Sequence, residues 1–464
     1  MTGSKSYFFC GIGGSGMLPL ACIVRAQGAE VAGSDRALDQ GRTAPKFEFL
    51  RGQGIGLFPQ DGSGITSAGQ IVIASTAVEE TVPDIVAATR LGCARMSRAG
   101  LLADLFNAAP RRIAIGGTSG KSTVTGMIGW ILHATGRSPT VMNGAVMKNF
   151  VGPDTPFASA LIGHGDTFVS EVDESDGSIA LFDPTIAVLG NISLDHKEMD
   201  ELIALFTDFV AKAETAVLNV DHPDVALIAS ELHADRQLTY AFDREAQLIG
   251  HEVIEGAEGV SFHVTERSSG AHAEVRLQVP GRHNAANALA AIGAAVAAGV
   301  PLREAAQALA GFTGLRRRLE RVGEANGVTV YDDFGHNPDK IAATLDALHA
   351  FYGRLLIFFQ PHGYGPLKVM GKELVAMLAR KMDPEDVLIL SDPVYFGGTV
   401  DRSTGSETIV EQVRAAGRQA EHIPTRAEIA DRLAALAKQG DRIVVMGARD
   451  DTLSQFAEDL LRRL

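Results

Sequence analysis

Short apolar runs that end in glycine or acid recur along this chain, each followed by apolar residues at helical spacing. Residues 7–10 (Tyr-Phe-Phe-Cys) lead into Gly11-Ile12-Gly13-Gly14-Ser15-Gly16. Residues 112–115 (Arg-Ile-Ala-Ile) lead into Gly116-Gly117-Thr118-Ser119-Gly120-Lys121, and 328–331 (Val-Thr-Val-Tyr) into Asp332-Asp333-Phe334-Gly335-His336. A repeated strand–turn–helix layout predicts parallel sheets with crossover helices. After Lys121, the residues Val124, Met127, Ile128, Ile131 and Leu132 form the stripe of a helix with one buried face. Gly136 follows and is suited to a left-handed C-terminal cap. The period then changes. Val260, Phe262 and Val264 alternate with polar residues, as do Val275, Leu277 and Val279, which predicts half-buried strands in an antiparallel edge or a small second sheet. Continuous apolar runs at 355–359, 387–390 and 443–446, separated by helical stretches, predict a second doubly wound unit. The fold class is α/β, with boundaries near Ala109-Pro110 and Thr313, giving domains 1–109, 110–312 and 313–464.

Composition adds bounds. The chain has 464 residues, room for two to four domains at roughly 100–200 residues each. With a net charge of −14 and no basic run, it lacks the electrostatic footprint of a nucleic-acid binder. Backbone N–H groups can still bind phosphate locally. Cys10, Cys22 and Cys93 have no CxxC spacing and read as thiols in a reducing compartment. Residues 1–10 do not have the pattern of a signal peptide, and no apolar run reaches the roughly 18 residues of a membrane helix, so a cytoplasmic location without membrane attachment is expected.

The most specific motif is Gly117-Thr118-Ser119-Gly120-Lys121-Ser122-Thr123, between a predicted strand and helix. Such a turn brings backbone N–H groups to phosphate oxygens, places Lys121 on the outer phosphates and offers the Ser122 hydroxyl to Mg²⁺. A standard phosphate loop begins with glycine where this chain has Ile115, so the loop is a compressed variant. Two polar clusters in the same segment supply candidate metal ligands: Glu171-Val172-Asp173-Glu174-Ser175-Asp176 and Asn191-Ile192-Ser193-Leu194-Asp195-His196. Each follows an apolar strand, where open α/β sheets bind ligands. An acidic run of this kind is also what a solvated loop looks like, and a lone histidine is often structural. The first glycine turn matches the dinucleotide fingerprint GxGxxG, with Ser34-Asp35 where a ribose contact belongs. That alone would suggest a nicotinamide oxidoreductase. The same turn binds any diphosphate, a nucleotide-sugar included.

Taken together these motifs resemble the Mur ligase family over nearly the whole chain. Gly11–Met17 with Ser34-Asp35, residues 71–77 and Ser97-Arg98 are similar to the UDP-binding start of its L-alanine-adding branch. Residues 117–123 are similar to the family's own compressed loop. Glu171-x-Asp173-Glu174-Ser175-Asp176 and Asp195-His196 are similar to its metal elements. Pro280-Gly281-Arg282-His283-Asn284-x-x-Asn287-Ala288, Arg317-Arg318-Leu319-Glu320, Asp332–Pro338 and Gln360-Pro361-His362 are similar to its later motifs. The resemblance implies a Rossmann-like UDP-binding domain, a central ATPase-type domain with a small additional β-sheet, and a C-terminal Rossmann-like domain for the incoming amine. It implies ATP and Mg²⁺ as cofactors, and a UDP-N-acetylmuramate-type nucleotide sugar and an amino acid or short peptide as partners. It assigns Gly11, Gly13, Gly14, Ser15, Gly16, Met17, Ser34, Asp35, Ser75 and Thr76 to the UDP-sugar. Gly117, Thr118, Ser119, Gly120, Lys121, Ser122, Thr123, His283, Asn284, Asn287, Arg318 and Asp333 go to ATP. It assigns Ser122, Glu171 and His196 to the metal, with Glu174 as runner-up, and His336 and His362 to the acceptor; Lys121, His196 and His336 are the catalytic set. The sequence departs from the alanine-adding branch at Gly363, where an arginine is typical, at Tyr364-Gly365-Pro366 and at Phe334. Asn149-Phe150 is similar to the murein tripeptide ligase branch. An acceptor other than L-alanine is therefore expected as an alternative.

Overall fold

The structure, a computed structural model, describes residues 5–75, 78–193, 198–394, 405–448 and 450–464. Three sheets follow one another along the chain. The first has five parallel strands in the order Gly56–Phe58, Glu30–Ser34, Ser6–Cys10, Gln70–Ala74, Ala94–Ser97. The second has ten strands, with Arg111–Gly116 between Ile186–Leu189 on one side and Thr167–Glu171 on the other, all parallel. The third has six, ordered Glu320–Ala325, Val328–Asp333, Arg442–Gly447, Leu355–Gln360, Val387–Leu390, Gln419–His422; only the first pair is antiparallel.

The apolar runs of the last sheet are continuous because they feed two cores. Tyr331, Ile357, Phe359, Leu388, Leu390, Val444 and Met446 pack on one face, and Val330, Leu356, Phe358, Val387, Ile389, Ile443 and Val445 on the other. The helix Lys121–Ala134 buries the predicted stripe from Val124 to Leu132, and Gly136 follows with φ 75°.

Of the two arrangements expected for the alternating strands, they take the edge of the ten-stranded sheet and do not form a separate small one. Leu248–Gly256 pairs in parallel with Gln237–Ala241, but only through Tyr240↔Leu248 and Ala241↔Ile249, and Gly259–Glu266 and His272–Leu277 extend the same sheet outward. Their outer positions at this edge lack a second covering layer, so period two survives there. The chain forms two compact units. One comprises Met1–Val253, Ser261–Leu277 and Ala285–Thr313; the other comprises Ile254–Val260, Gln278–Asn284 and Gly314–Leu464. The first two sheets fall in one unit because they share a core: Phe106 meets Phe168 and Phe182 edge-on at 5.8 and 5.3 Å. Among the described residues, no helix is long and apolar enough to cross a membrane.

Candidate functional site

Parallel pairing sets what surrounds the phosphate loop. Arg111–Gly116 is in register with its neighbours so that Ile115 lies opposite Glu171 and Gly116 opposite Leu189. The loop therefore leaves its strand between the two polar clusters found in the sequence. Gly117 adopts φ 116° and Gly120 φ 82°. A Cβ at Gly120 would lie 2.6 Å from Asn287 Oδ1, and one at Gly117 3.1 Å from Asn191 O, so glycine is required by both conformation and space.

Lys121 begins the helix and folds back over its loop. Its Nζ donates to Gly117 O and to Glu174 Oε2, each at 2.7 Å. Glu174 is nearly buried, so the candidate carboxylate for the metal neutralises the lysine here. Ser122 Oγ donates to Glu171 Oε2 at 2.8 Å, and the other Glu171 oxygen accepts from Gly144 N–H. Hydroxyl and carboxylate oxygen are the donors a hard divalent cation takes, so Ser122 and Glu171 fit Mg²⁺. Asp173 accepts from the Ser175 N–H at 2.9 Å and hydroxyl at 2.6 Å. Burial raises its pKa, but these bonds and the charges of Lys121 and Arg98 outweigh burial and hold it below the ordinary carboxylate value. Thr123 is half-buried on the first turn. Asp195 and His196 lie outside the described residues.

Residues with no role at the loop assigned from the sequence hold it. Asn191 Oδ1 accepts from Ser119 N–H and from the Thr118 hydroxyl, both at 2.9 Å, while its Nδ2 donates to Ser119 O at 3.0 Å. Asn143 is fully buried and donates to Ser122 O at 2.9 Å. Asn191 opens the second polar cluster, and Asn143 follows the strand Thr140–Met142.

The first glycine turn is built the same way. Gly13 N–H donates to Asp35 Oδ2 at 2.8 Å, and Lys46 Nζ donates to Gly13 O at 3.0 Å. Arg98 lies against Gly16, where a Cβ would be 3.0 Å from its Cδ. Lys46 and Arg98 thus place positive charge at this turn, and nothing in the local pattern marks Lys46. Ser34 meets the turn through its backbone: its carbonyl accepts from Gly11 N–H and Ile12 N–H at 2.8 and 2.9 Å, while its buried hydroxyl donates to Asp84. Burial first, and the Asp84 charge next, push the neighbouring Cys10 thiol up to about 12. Gly14, Ser15 and Met17 complete the turn and the start of the helix Met17–Ala26; Ser75 follows the strand Gln70–Ala74, and Thr76 lies outside the described residues.

In the second compact unit His336 and His362, expected on the acceptor side, meet. Asp333 and Gln360 end strands that flank Arg442–Gly447, with Asp333 opposite Met446 and Gln360 opposite Gly447. Residues just beyond those ends therefore converge. The His336 and His362 rings are edge-on at 5.3 Å, and His336 Nδ1 bonds Phe334 O at 3.0 Å. Arg318 and Arg317 stack over the Phe334 ring at 4.4 and 5.2 Å. Asp333 is buried and accepts from Leu319 N–H, Gly335 N–H and the Thr344 hydroxyl at 2.8, 3.0 and 2.8 Å. These bonds help to fix the Arg317–Leu319 segment, where Arg317 and Leu319 both have positive φ. Asn284 is likewise buried and donates to Pro280 O at 2.7 Å, while His283 is exposed.

Comparison with known proteins adds a lineage. Residues 6–109 match the profile described as Mur ligase family, catalytic domain; 115–295 match the Mur ligase middle domain; 317–449 match the Mur ligase glutamate ligase domain. A UDP-N-acetylmuramate–L-alanine ligase of Streptomyces avermitilis is 35% identical over 96% of this chain and 94% of its own length. One of Rhizobium meliloti is 33% identical over 95% and 93%. Among solved structures, a UDP-N-acetylmuramate-alanine ligase of Thermotoga maritima has the same fold, with TM-score 0.81 and 23% identity over 99% of this chain and 98% of that one. A murein peptide ligase of Psychrobacter arcticus follows at TM-score 0.72 and 24% identity, also over 99% and 98%.

Proposed function

This chain belongs to the Mur ligase family, and from that premise we propose that it joins L-alanine to the carboxylate of UDP-N-acetylmuramate in peptidoglycan synthesis, converting ATP to ADP and phosphate. The observation that carries the reading is the phosphate loop, with Lys121 and Ser122 at the start of their helix and two carboxylates, Glu171 and Glu174, bonded directly to them. We assign the domains to 1–109, 110–312 and 313–464, and place the reaction in the cytoplasm, where both nucleotides are made.

A carboxylate is a poor acyl donor because its leaving group would be oxide. In the proposed sequence a carboxylate oxygen attacks the γ-phosphorus of ATP and ADP leaves, giving an acyl phosphate. The acceptor amine then attacks the acyl carbon, phosphate leaves with the bonding pair, the nitrogen loses a proton, and an amide remains. The loop Gly117–Gly120 and the first turn of its helix receive the phosphates. Lys121 leaves Glu174 and stabilises charge on the transferring group. Ser122 and Glu171, with His196 assigned by resemblance and Glu174 in reserve, hold Mg²⁺, which supplies charge neutralisation when bound. Gly11–Met17, Asp35, Lys46 and Arg98 receive the UDP end. Asn287, Arg318 and His283 serve ATP, and Asn284 and Asp333 support those groups from behind. His336 and His362 face the acceptor. The glycine fingerprint at residues 11–16 thus reads a diphosphate without a nicotinamide.

One observation keeps a second acceptor in play. Gly363 sits at φ 155°, ψ 159°, a backbone open essentially to glycine alone, so this turn has no place for the arginine typical of the alanine-adding branch. A larger acceptor such as the L-Ala-γ-D-Glu-meso-diaminopimelate tripeptide would use that space. The test is phosphate release with ATP, Mg²⁺ and UDP-N-acetylmuramate against L-alanine, L-serine, glycine and that tripeptide in competition. L-alanine is expected to give the highest kcat/KM; a clear lead for the tripeptide would replace the reading with the second one.

A further inference from the structure

The phosphate loop of this chain is too short to hold itself. The glycine that opens a standard loop is replaced by Ile115, which is buried in the strand and in register with Glu171. Only Gly117 to Gly120 bridge strand and helix, and Gly120 gives the helix no side-chain cap. The missing support comes from the strand end on the other side. Past Leu189, Asn191 forms a two-way amide pair with Ser119, accepting from its N–H at 2.9 Å and donating to its carbonyl at 3.0 Å. The same Oδ1 accepts from the Thr118 hydroxyl, and the Asn191 carbonyl accepts from Thr118 N–H at 3.3 Å. Ser193 closes the set, with its hydroxyl 2.8 Å from Thr118 Oγ1 and its N–H donating to that oxygen at 3.0 Å. Every polar group of Thr118 and Ser119 named here is bonded to 191–193.

We propose that Asn191, assisted by Ser193, is the positioning residue that pre-forms the compressed phosphate loop for ATP; the proposal rests on the reading of that loop as the ATP site. A carboxamide is required because it must accept from an N–H and donate to a C=O of one residue at once. Aspartate has the same shape but would set two oxygens against each other and add negative charge beside the phosphates. The pairing also uses the Ser119 N–H, so in this conformation the donors left for phosphate are those of Gly120 and the first helical turn, which have no acceptor within the helix. Asn191 therefore decides which part of the loop faces the nucleotide.

The test compares wild type with Asn191→Asp, Asn191→Ala and Ser193→Ala, measuring KM for ATP, UDP-N-acetylmuramate and acceptor, kcat, direct ATP–Mg²⁺ binding and the melting temperature. Asn191→Ala loses three side-chain hydrogen bonds to this loop, and Asn191→Asp loses one and sets two oxygens against each other; both should raise KM for ATP, roughly ten- to a hundredfold. The other two KM values should stay within about twofold, and Ser193→Ala should give a smaller rise of the same kind. If Asn191→Ala does not fold, Asn191→Asp, which keeps the volume, carries the test. A folded Asn191→Asp with wild-type KM for ATP, or an equal rise in all three KM values, overturns the proposal. Wild type that fails to bind ATP overturns instead the reading beneath it.

Discussion

At the scale of single residues, charge pairing and burial decide most outcomes. Lys121 and Glu174 are 19% and 6% exposed at the side chain, so each is the other's main counter-charge. Lys121→Ala should lower phosphate release at least a hundredfold, since one preorganised charge on a transferring group contributes on that order. It should also destabilise the fold by about 3 kcal/mol, because a nearly buried carboxylate is left unpaired. Lys121→Met with Glu174→Gln should recover the melting temperature without recovering turnover; if the double variant is no more stable than Lys121→Ala, the pair does not matter to stability. Glu171→Gln should raise the Mg²⁺ concentration for half-maximal rate by on the order of tenfold or more, the loss typical even of outer-shell partners. An unchanged Mg²⁺ titration would move the metal to Glu174. Asp332 makes a different prediction. Burial pushes its pKa up to about 6, against the opposing pull of Arg317 and the Ser454 hydroxyl. A folded value above the unfolded one means that the proton is bound more tightly in the fold. The resulting stabilisation is complete below the unfolded value and is lost as pH rises through about 6. Asp332→Asn should remove that decline, so its stability relative to wild type should improve between pH 4 and 6 in denaturant titrations; a constant difference would show that Asp332 is ionised throughout.

At the scale of elements, the strand ends do the arranging. Neither histidine of the acceptor side carries a local signal of its neighbour. His336 and His362 meet because their strands flank one central strand. The helix beginning after Gly363 fixes the other limit. Gly363→Arg, which would install the missing guanidinium, should cost about 1–3 kcal/mol of stability for the forced backbone and should not increase kcat/KM for L-alanine. A variant that melts like wild type and favours L-alanine more strongly would mean that the turn relaxes freely. The phosphate-loop motif, its helix and the buried stripe were legible in the sequence, because glycine placement and a period of 3.6 are local properties. The roles of Asn191 and Lys46 were not, because their partners, Ser119 and Gly13, lie 72 and 33 residues away along the chain, where local spacing carries no information.

At the scale of the whole molecule, two sheets share a core and the third has its own two. The first unit carries both the phosphate loop and the first glycine turn. ATP–Mg²⁺ and UDP-N-acetylmuramate should each raise the melting temperature, by up to about 2.7 kcal/mol of stabilisation at a hundred times Kd, and NADH should not. Stabilisation by NADH alone would reopen the oxidoreductase reading. The sequence by itself determined the α/β class, the three successive strand–turn–helix segments, the compressed phosphate loop and the family, because each is written in local spacing. Only the tertiary structure decided that Ser34 and Asp333 turn inward, that Glu174 occupies Lys121, and that Asn191 holds the loop. Those outcomes depend on which strands lie side by side and on where a polar group finds its partner once water is excluded, and neither is a property of any one stretch of chain.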